Sequence, residues 1–193
     1  MRKFLLVFLA LIIFPTCAAA NPVRIARLPI IFRSNVPDYD TRAELEMKIA
    51  RAAHIPMNKT LQVAYFIPTE ESEQVMSDIW QEIRADNKKA KLADAIKPFA
   101  EKIDADIVIC PVLLDYQQFV NNFSLDETII TSNARAELIV YDRRTDNLID
   151  KKASQFYHDV MSTTGTVDYL AKICFDKVID ETKLRELIMS VGK

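Results

Sequence analysis

Glycine is almost absent from this sequence: only two of its 193 residues are glycine, Gly165 and Gly192. Loops that hold phosphate groups in dinucleotide-binding and P-loop proteins need several glycines at fixed spacing, because their backbone approaches the ligand closely. The scarcity of glycine therefore excludes both kinds of nucleotide site, and we expect no cofactor.

Histidine and cysteine are also scarce, with two and three copies. A structural zinc site needs four such ligands at close spacing, so we expect no metal site. A hydrolase that uses a nucleophile and a histidine base would depend on His54 or His158. No serine stands in the glycine-flanked turn that exposes such a nucleophile, which disfavours this chemistry.

Positive charge is not in excess, since 25 lysines and arginines face 27 acidic residues and give a net charge of −2. Proteins that bind nucleic acid carry clustered basic charge, so we expect no nucleic-acid partner. A transmembrane helix needs about 20 consecutive apolar residues. No segment after residue 20 meets this condition, and we expect no transmembrane segment in the mature chain.

The first twenty residues have the three parts of a secretory signal peptide. Arg2 and Lys3 precede an apolar run from Phe4 to Phe14, and small alanines lead up to Ala20. The sequence therefore predicts a signal peptide over residues 1–20, cleavage after Ala20, and export to the periplasm or the exterior.

Cys17 lies within this leader, where a bacterial lipoprotein would carry its lipid. The lipidation pattern needs leucine or a similar residue three places earlier and a small residue directly before the cysteine. The sequence has Phe14 and Thr16 at these places. We therefore expect Cys17 not to be lipidated.

Strand and helix patterns alternate along residues 21–193, whose length suits a single α/β domain. Val23–Phe32 is dense in branched aliphatic residues and predicts a strand. Asn133–Asp142 alternates in polarity and Leu148–His158 follows a tight turn, which predicts an antiparallel hairpin. Apolar residues at helical spacing after Val167 predict a long final helix. The expected fold is α/β (α+β): a mixed sheet of about five strands covered by helices.

Cys110 and Cys174 both stand in apolar runs. The oxidising environment of an exported protein allows a disulfide between them. Two buried thiols that pack a helix on the sheet would explain the same pattern. The sequence leaves both alternatives open.

Two groups of side chains are candidates for binding a partner. Tyr116, Phe119 and Phe123 lie in the polar segment "DYQQFVNNFS", and aromatic side chains on a polar hairpin can bind a protein. Alternatively, they fold under the helices and join the core. Arg143 and Arg144 lie in the hairpin turn, where we expect them to project into water.

Four acidic residues lie near the 115–142 hairpin: Asp115, Asp126, Glu127 and Asp142. A pair of carboxylates can hydrolyse a glycosidic bond, so an exported hydrolase is an alternative function. Solvated surface acids would explain the same residues.

The segment "YDRRTDNLIDKKA" resembles a turn in the small α/β domain shared by CsgG-type envelope lipoproteins and the amino-terminal domain of TolB. In that domain a strand ends in Asp-x-x-Thr-Gly before a second hairpin strand. The matching residues are Asp142, Thr145 and Asp146, with aspartate in the glycine place. The segments "RIARLPIIF" and "DADIVICPVL" are similar to the opening strand and a later strand. The resemblance implies a fold related to anticodon-binding domains and a cell-envelope setting, and it transfers no catalytic residue.

Together these features predict an exported, non-enzymatic domain that binds a protein or a cell-envelope component, or assembles with copies of itself. The exported hydrolase and a small-ligand binding protein are the two alternatives.

Overall fold

A computed structural model describes residues 22–55, 63–122 and 128–191. The leader with Cys17 and Ala20, as well as Phe123, lies outside the described residues. Within them the elements are, in chain order, β1 (Val23–Arg27), β2 (Ile31–Phe32), α1 (Tyr39–Ala52), β3 (Ala64–Ile67), α2 (Thr69–Asp86), α3 (Leu92–Lys102), β4 (Ile107–Asn122), β5 (Thr128–Asp142), β6 (Asn147–Val160), a 3-10 turn (Thr163–Gly165), α4 (Val167–Thr182) and α5 (Leu184–Ser190).

Six strands form one mixed sheet in the order β3-β1-β4-β5-β6, with β2 also paired to β4. β1 runs parallel to β3, and β1 and β2 run parallel to β4. The pairs β4–β5 and β5–β6 are antiparallel. This confirms the predicted α/β class and the hairpin, with six strands instead of about five.

The predicted first strand is divided into β1 and β2 around Pro29. Proline has no N–H to donate to a neighbouring strand, so regular pairing is interrupted there. The N–H of Ile30 donates instead to Glu46 Oε1 of α1, at 2.6 Å. The interruption leaves a groove beside α2, which is described below.

Helices pack on both faces of the sheet and enclose two separate apolar cores. On the first face, the core includes Leu45 of α1 and Phe175 of α4, both fully buried. On the second face, it includes Met76 of α2 and Phe99 of α3. Residues of one strand alternate between the two faces, as side chains of a strand do.

The two cysteines lie on opposite faces. Cys110 belongs to the core of the second face and Cys174 to that of the first, and both are free and buried. Because the sheet separates the two thiols, they pack as separate buried side chains in this structure. Burial raises the pKa of Cys174 to about 11 and that of Cys110 further, which keeps both thiols uncharged and unreactive.

The predicted long final helix is α4, with 16 residues. Lys183 adopts a left-handed backbone with a φ of 51° and separates α4 from the short α5 that follows it. None of the helices in the described ranges has the length and apolar character needed to cross a membrane.

Glu137 of β5 is an acidic side chain buried on the second face, with 8% of its surface exposed. Lys152 Nζ of β6 lies 2.7 Å from its Oε1. Burial raises the pKa of Glu137, the bond from Lys152 opposes this rise, and the nearby Asp150 adds to it. Lys152 therefore compensates part of the cost of a buried negative charge.

We expect Lys152→Ala to lower the free energy of unfolding by about 1 kcal/mol at pH 8, since the lysine is partly exposed. Glu137 then keeps its charge without a cation. A carboxyl group with a raised folded-state pKa contributes stability that is complete below its unfolded pKa and is lost as the pH rises through its folded pKa. The deficit of the variant should therefore shrink as the pH falls towards 4.5. Urea unfolding at both pH values measures this, and the exposed Lys151→Ala is the matched control. A deficit that is the same at both pH values would contradict the expectation.

Candidate functional site

Three strands extend beyond the rest of the sheet. β1 and β2 accompany β4 only from Ile107 to Leu113, whereas β4 continues to Asn122 together with β5 and β6. We call this extension the distal sheet; it consists of Asp115–Asn122, Thr128–Arg135 and Ser154–Val160.

A β-bulge marks the start of the distal sheet, where the register with β5 shifts between Leu113 and Asp115. Leu114 packs with the core of the second face, and Asp115 on the same face pairs with Arg135. Tyr116 then packs with the first face. Because Leu114 and Asp115 follow each other on the same side, the alternation of β4 side chains between the two faces is reversed after the bulge. The inversion puts Phe119 on the second face.

The second face of the distal sheet exposes large apolar side chains. Phe119, Phe156 and Val160 are 60%, 67% and 51% exposed, so the described helices leave this surface uncovered. Pairing of the strands brings them together with polar neighbours. We call this surface the open face; its side chains are Asp115, Gln117, Phe119, Asn121, Ile129, Thr131, Asn133, Arg135, Ser154, Phe156, His158 and Val160.

Polar side chains of the open face are joined by hydrogen bonds across the strands. Asn133 Nδ2 donates to Asp115 Oδ2 at 2.5 Å. Thr131 Oγ1 and His158 Nδ1 share a hydrogen bond of 2.7 Å. The apolar groups therefore have four polar neighbours that hydrogen bonds already hold in place. Such a surface loses less conformational entropy when a partner binds.

Tyr116 does not belong to the open face. Its ring packs on the first face, and its hydroxyl donates to Asp168 at the start of α4. Gln118 Oε1 accepts from the N–H of Val167 at 2.9 Å. Burial and the neighbouring carboxylate raise the pKa of Tyr116, so its hydroxyl stays protonated and able to donate. These bonds attach α4 to the covered side of the distal sheet.

Arg143 and Arg144 bind other residues of the chain. Arg143 Nη2 donates to Asp104 at 2.8 Å and to Asp106 at 3.2 Å. Arg144 donates through Nε and Nη2 to Asp142, at 2.9 and 2.8 Å. Burial alone would raise the pKa of Asp142, but the bonds from Arg144 hold it below the usual value. The expectation that both arginines project freely into water is therefore wrong.

Asp146 occupies the place that glycine holds in the resembling turn. Its backbone is left-handed, with a φ of 50°, a conformation that aspartate tolerates better than most side chains. Its Oδ1 accepts from Lys97 Nζ at 2.6 Å and from the Tyr141 hydroxyl at 2.9 Å. The aspartate thus ties the turn to α3.

The acids considered for hydrolysis do not gather. Asp115 pairs with Arg135, seven residues from Asp142 along β5, which is about 24 Å at the rise of a strand. The paired carboxylates of glycosidases lie less than about 10 Å apart. Asp126 and Glu127 lie outside the described residues.

Three cavities, of about 610, 270 and 240 Å³, lie among the described residues. Neither His54 nor His158 lines any of them, and neither do Asp115 and Asp142. In the described part of the chain, no three histidine, cysteine or acidic side chains are arranged to hold a metal ion.

Phe119 of the open face is a binding candidate from the sequence, whereas Phe156 and Val160 are not. Phe156 and Val160 come from β6, whereas Phe119 comes from β4. They share one face only because β4 and β6 both pair with β5. The available signal is the spacing of Phe156, His158 and Val160 at every second residue, which puts all three on one side of a strand.

No protein-family model and no curated protein matches the sequence. Among solved structures, hypothetical protein CT253 from Chlamydia trachomatis has 13% identity and a TM-score of 0.45, over 84% of this chain and 96% of that one. The PelC dodecamer from Paraburkholderia phytofirmans has 10% identity and a TM-score of 0.41, over 86% and 89%. Lipoprotein GNA1162 from Neisseria meningitidis has 18% identity and a TM-score of 0.33, over 84% and 99%. Likenesses this distant identify neither a family nor a function, and the state of Cys17 stays a prediction.

Proposed function

We propose that this protein is an exported, non-enzymatic binding domain whose open face docks a protein of the cell envelope. The observation that carries the proposal is the pair Phe119 and Phe156, two largely exposed phenylalanines on a sheet face that the described helices leave uncovered. Apolar surface in water costs free energy. A patch of this kind on one face is typical of a surface that a partner covers.

The arrangement of the open face fits a protein better than a small molecule. Small ligands bind in concave pockets, whereas the open face is one side of three paired strands. Protein interfaces use exposed aromatic side chains surrounded by polar groups, as Phe119 and Phe156 are by Asn133, Thr131 and His158.

The outer edge of β6 supports the same proposal. β6 pairs with β5, and no strand of the described residues occupies its other side. Lys151 and Lys152 near its start oppose pairing with another strand. The segment Ser154–Val160 has no lysine, so a strand of the partner can extend the sheet beside the open face.

The cell-envelope setting rests on the predicted leader and on the resemblance to CsgG-type lipoproteins and the TolB amino-terminal domain. Self-assembly is the second candidate, because an exposed apolar face can also be covered by another copy of the chain.

Site-specific photo-crosslinking in intact cells tests the proposal. We expect a crosslinking residue at Phe119 or Phe156 to capture the same envelope protein. Tyr39 on α1 is 76% exposed and lies outside the open face, so the same residue at Tyr39 should not capture it. An adduct with the mass of two copies would establish self-assembly instead. Identical products from all three positions, or none, would contradict docking on the open face.

A further inference from the structure

The one tryptophan of the sequence, Trp80, lines a groove on the second face that shares no residue with the open face. The groove lies between α2 and the connection from β1 to β2, and its cavity volume is about 270 Å³. Its apolar walls are formed by Leu28, Pro29, Ile31, Met76, Trp80 and Leu92.

Two arginines flank the indole of Trp80. The guanidinium carbons of Arg33 and Arg84 lie 5.9 and 5.5 Å from the ring centre. Among the residues that the structure describes, no carboxylate forms an ion pair with either arginine. Arg33 lines the cavity itself, whereas Arg84 lies beside the Trp80 ring without lining the cavity. Both unpaired positive charges therefore stand at the Trp80 end of the groove.

The opposite end of the groove carries the opposite charge. Among the described residues, Glu73 is the one acidic side chain that lines the cavity. It precedes Trp80 by seven residues on α2, which is about 10 Å along the helix axis. Arg84 follows Trp80 by one turn. A negatively charged group is thus attracted to the Trp80 end and repelled from the Glu73 end.

We propose that this groove binds a single-chain aliphatic carboxylate. The chain lies along Leu28, Met76 and Leu92, and the carboxylate binds Arg33 and Arg84. Guanidinium groups bind carboxylates through charge-assisted hydrogen bonds, which are stronger than neutral ones. The volume equals that of about nine water molecules in the liquid. The groove is smaller than the pockets of about 300–1,000 Å³ that hold drug-sized ligands, so it suits a slender chain.

Fluorescence of Trp80 tests the charge of the ligand, because no other tryptophan contributes to the signal. The purified protein is titrated with decanoate, decanol and decyltrimethylammonium, which share one chain length. The two ions are kept below their micelle-forming concentrations, and decanol is kept below its solubility limit. We expect saturable binding of decanoate, binding of decanol weaker by at least about tenfold, and the weakest binding for the cation. The cation is a strict control, because trimethylammonium groups can themselves bind the face of a tryptophan ring. Cation binding as tight as that of decanoate, or no saturable binding of decanoate, would overturn the proposal.

Substitution of both arginines tests their role. We expect Arg33→Ala with Arg84→Ala to weaken decanoate binding by at least about tenfold and to leave decanol binding unchanged. Arg33→Lys with Arg84→Lys should restore most of the affinity, because the charge returns. Titration midpoints are compared, since the arginines also affect the emission of Trp80 itself. Arg42→Ala on α1 is the matched control. If the double alanine variant bound decanoate as tightly as the parent protein does, the proposed role of the two arginines would be wrong.

Discussion

Replacing Phe175 with alanine is expected to lower the free energy of unfolding by about 3–5 kcal/mol. Replacing Phe156 with alanine is expected to change it by less than about 0.5 kcal/mol. The same atoms are removed in both variants. Phe175 is fully buried between α4 and the sheet, whereas Phe156 is 67% exposed on the open face. Urea unfolding of the two variants and the parent protein, followed by circular dichroism, measures the difference.

This comparison bears directly on the proposed function. Burial in the core explains a phenylalanine that stabilises the fold, such as Phe175. An exposed phenylalanine that contributes no stability, such as Phe156, is explained by a binding partner under the proposed function. If Phe156→Ala cost more than about 1.5 kcal/mol, its ring would pack against other parts of the chain. The open face would then lose the observation that carries the proposal.

Gly165→Ala is expected to destabilise the protein by about 1–3 kcal/mol, the usual cost of an overpacked site. A Cβ on Gly165 would lie 2.6 and 2.7 Å from Cδ1 and Cζ of the Tyr157 ring. The ring is held in place, because its hydroxyl donates to the carbonyl of Val160 at 2.8 Å and accepts from Ser162 Oγ at 3.1 Å. The backbone of Gly165 is not left-handed, so the cost is steric.

A double-mutant cycle separates this contact from other effects of the substitution. In a Tyr157→Ala background, Gly165→Ala should cost less than about 0.5 kcal/mol, since the obstructing ring is gone. An equal cost in both backgrounds would show that Tyr157 is not the obstacle. Urea unfolding of the four proteins supplies the cycle.

The antiparallel hairpin of β5 and β6 follows from the sequence. Asn133–Asp142 alternates between apolar and polar residues, and the turn after it contains residues that accept local hydrogen bonds. The structure has Asp142 Oδ1 accepting from the N–H of Arg144 at 3.0 Å. Both signals are local, so neither depends on the rest of the fold.

The faces of Tyr116 and Phe119 do not follow from the sequence. The sequence does not show which of Leu113, Leu114 and Asp115 is the unpaired residue of the bulge. A shift of one residue in the pairing with β5 moves every later side chain of β4 to the other face. The structure resolves this through the register, with Leu114 and Asp115 on the same side.

Exposure of the open face and of the Trp80 groove is also unpredictable from local patterns. Phe156 is exposed because the core that α2 and α3 form includes no residue of the distal sheet, and that depends on how the helices pack. The helical spacing of Met76, Ile79 and Trp80 predicts one apolar stripe. Only the packing leaves Trp80 beside a groove while Ile79 is buried.

The bulge at Leu113–Asp115 divides β4 into two segments that face different selective demands. Before the bulge, β4 side chains on both faces pack into the cores, so changes there alter stability. Beyond it, second-face side chains such as Phe119 are largely exposed and do not belong to the core formed by the described residues. The open face can therefore diverge between related proteins while the folding energy is conserved. Under the proposed function, changes in these few side chains alter the surface that the partner contacts and leave the rest of the molecule as it is.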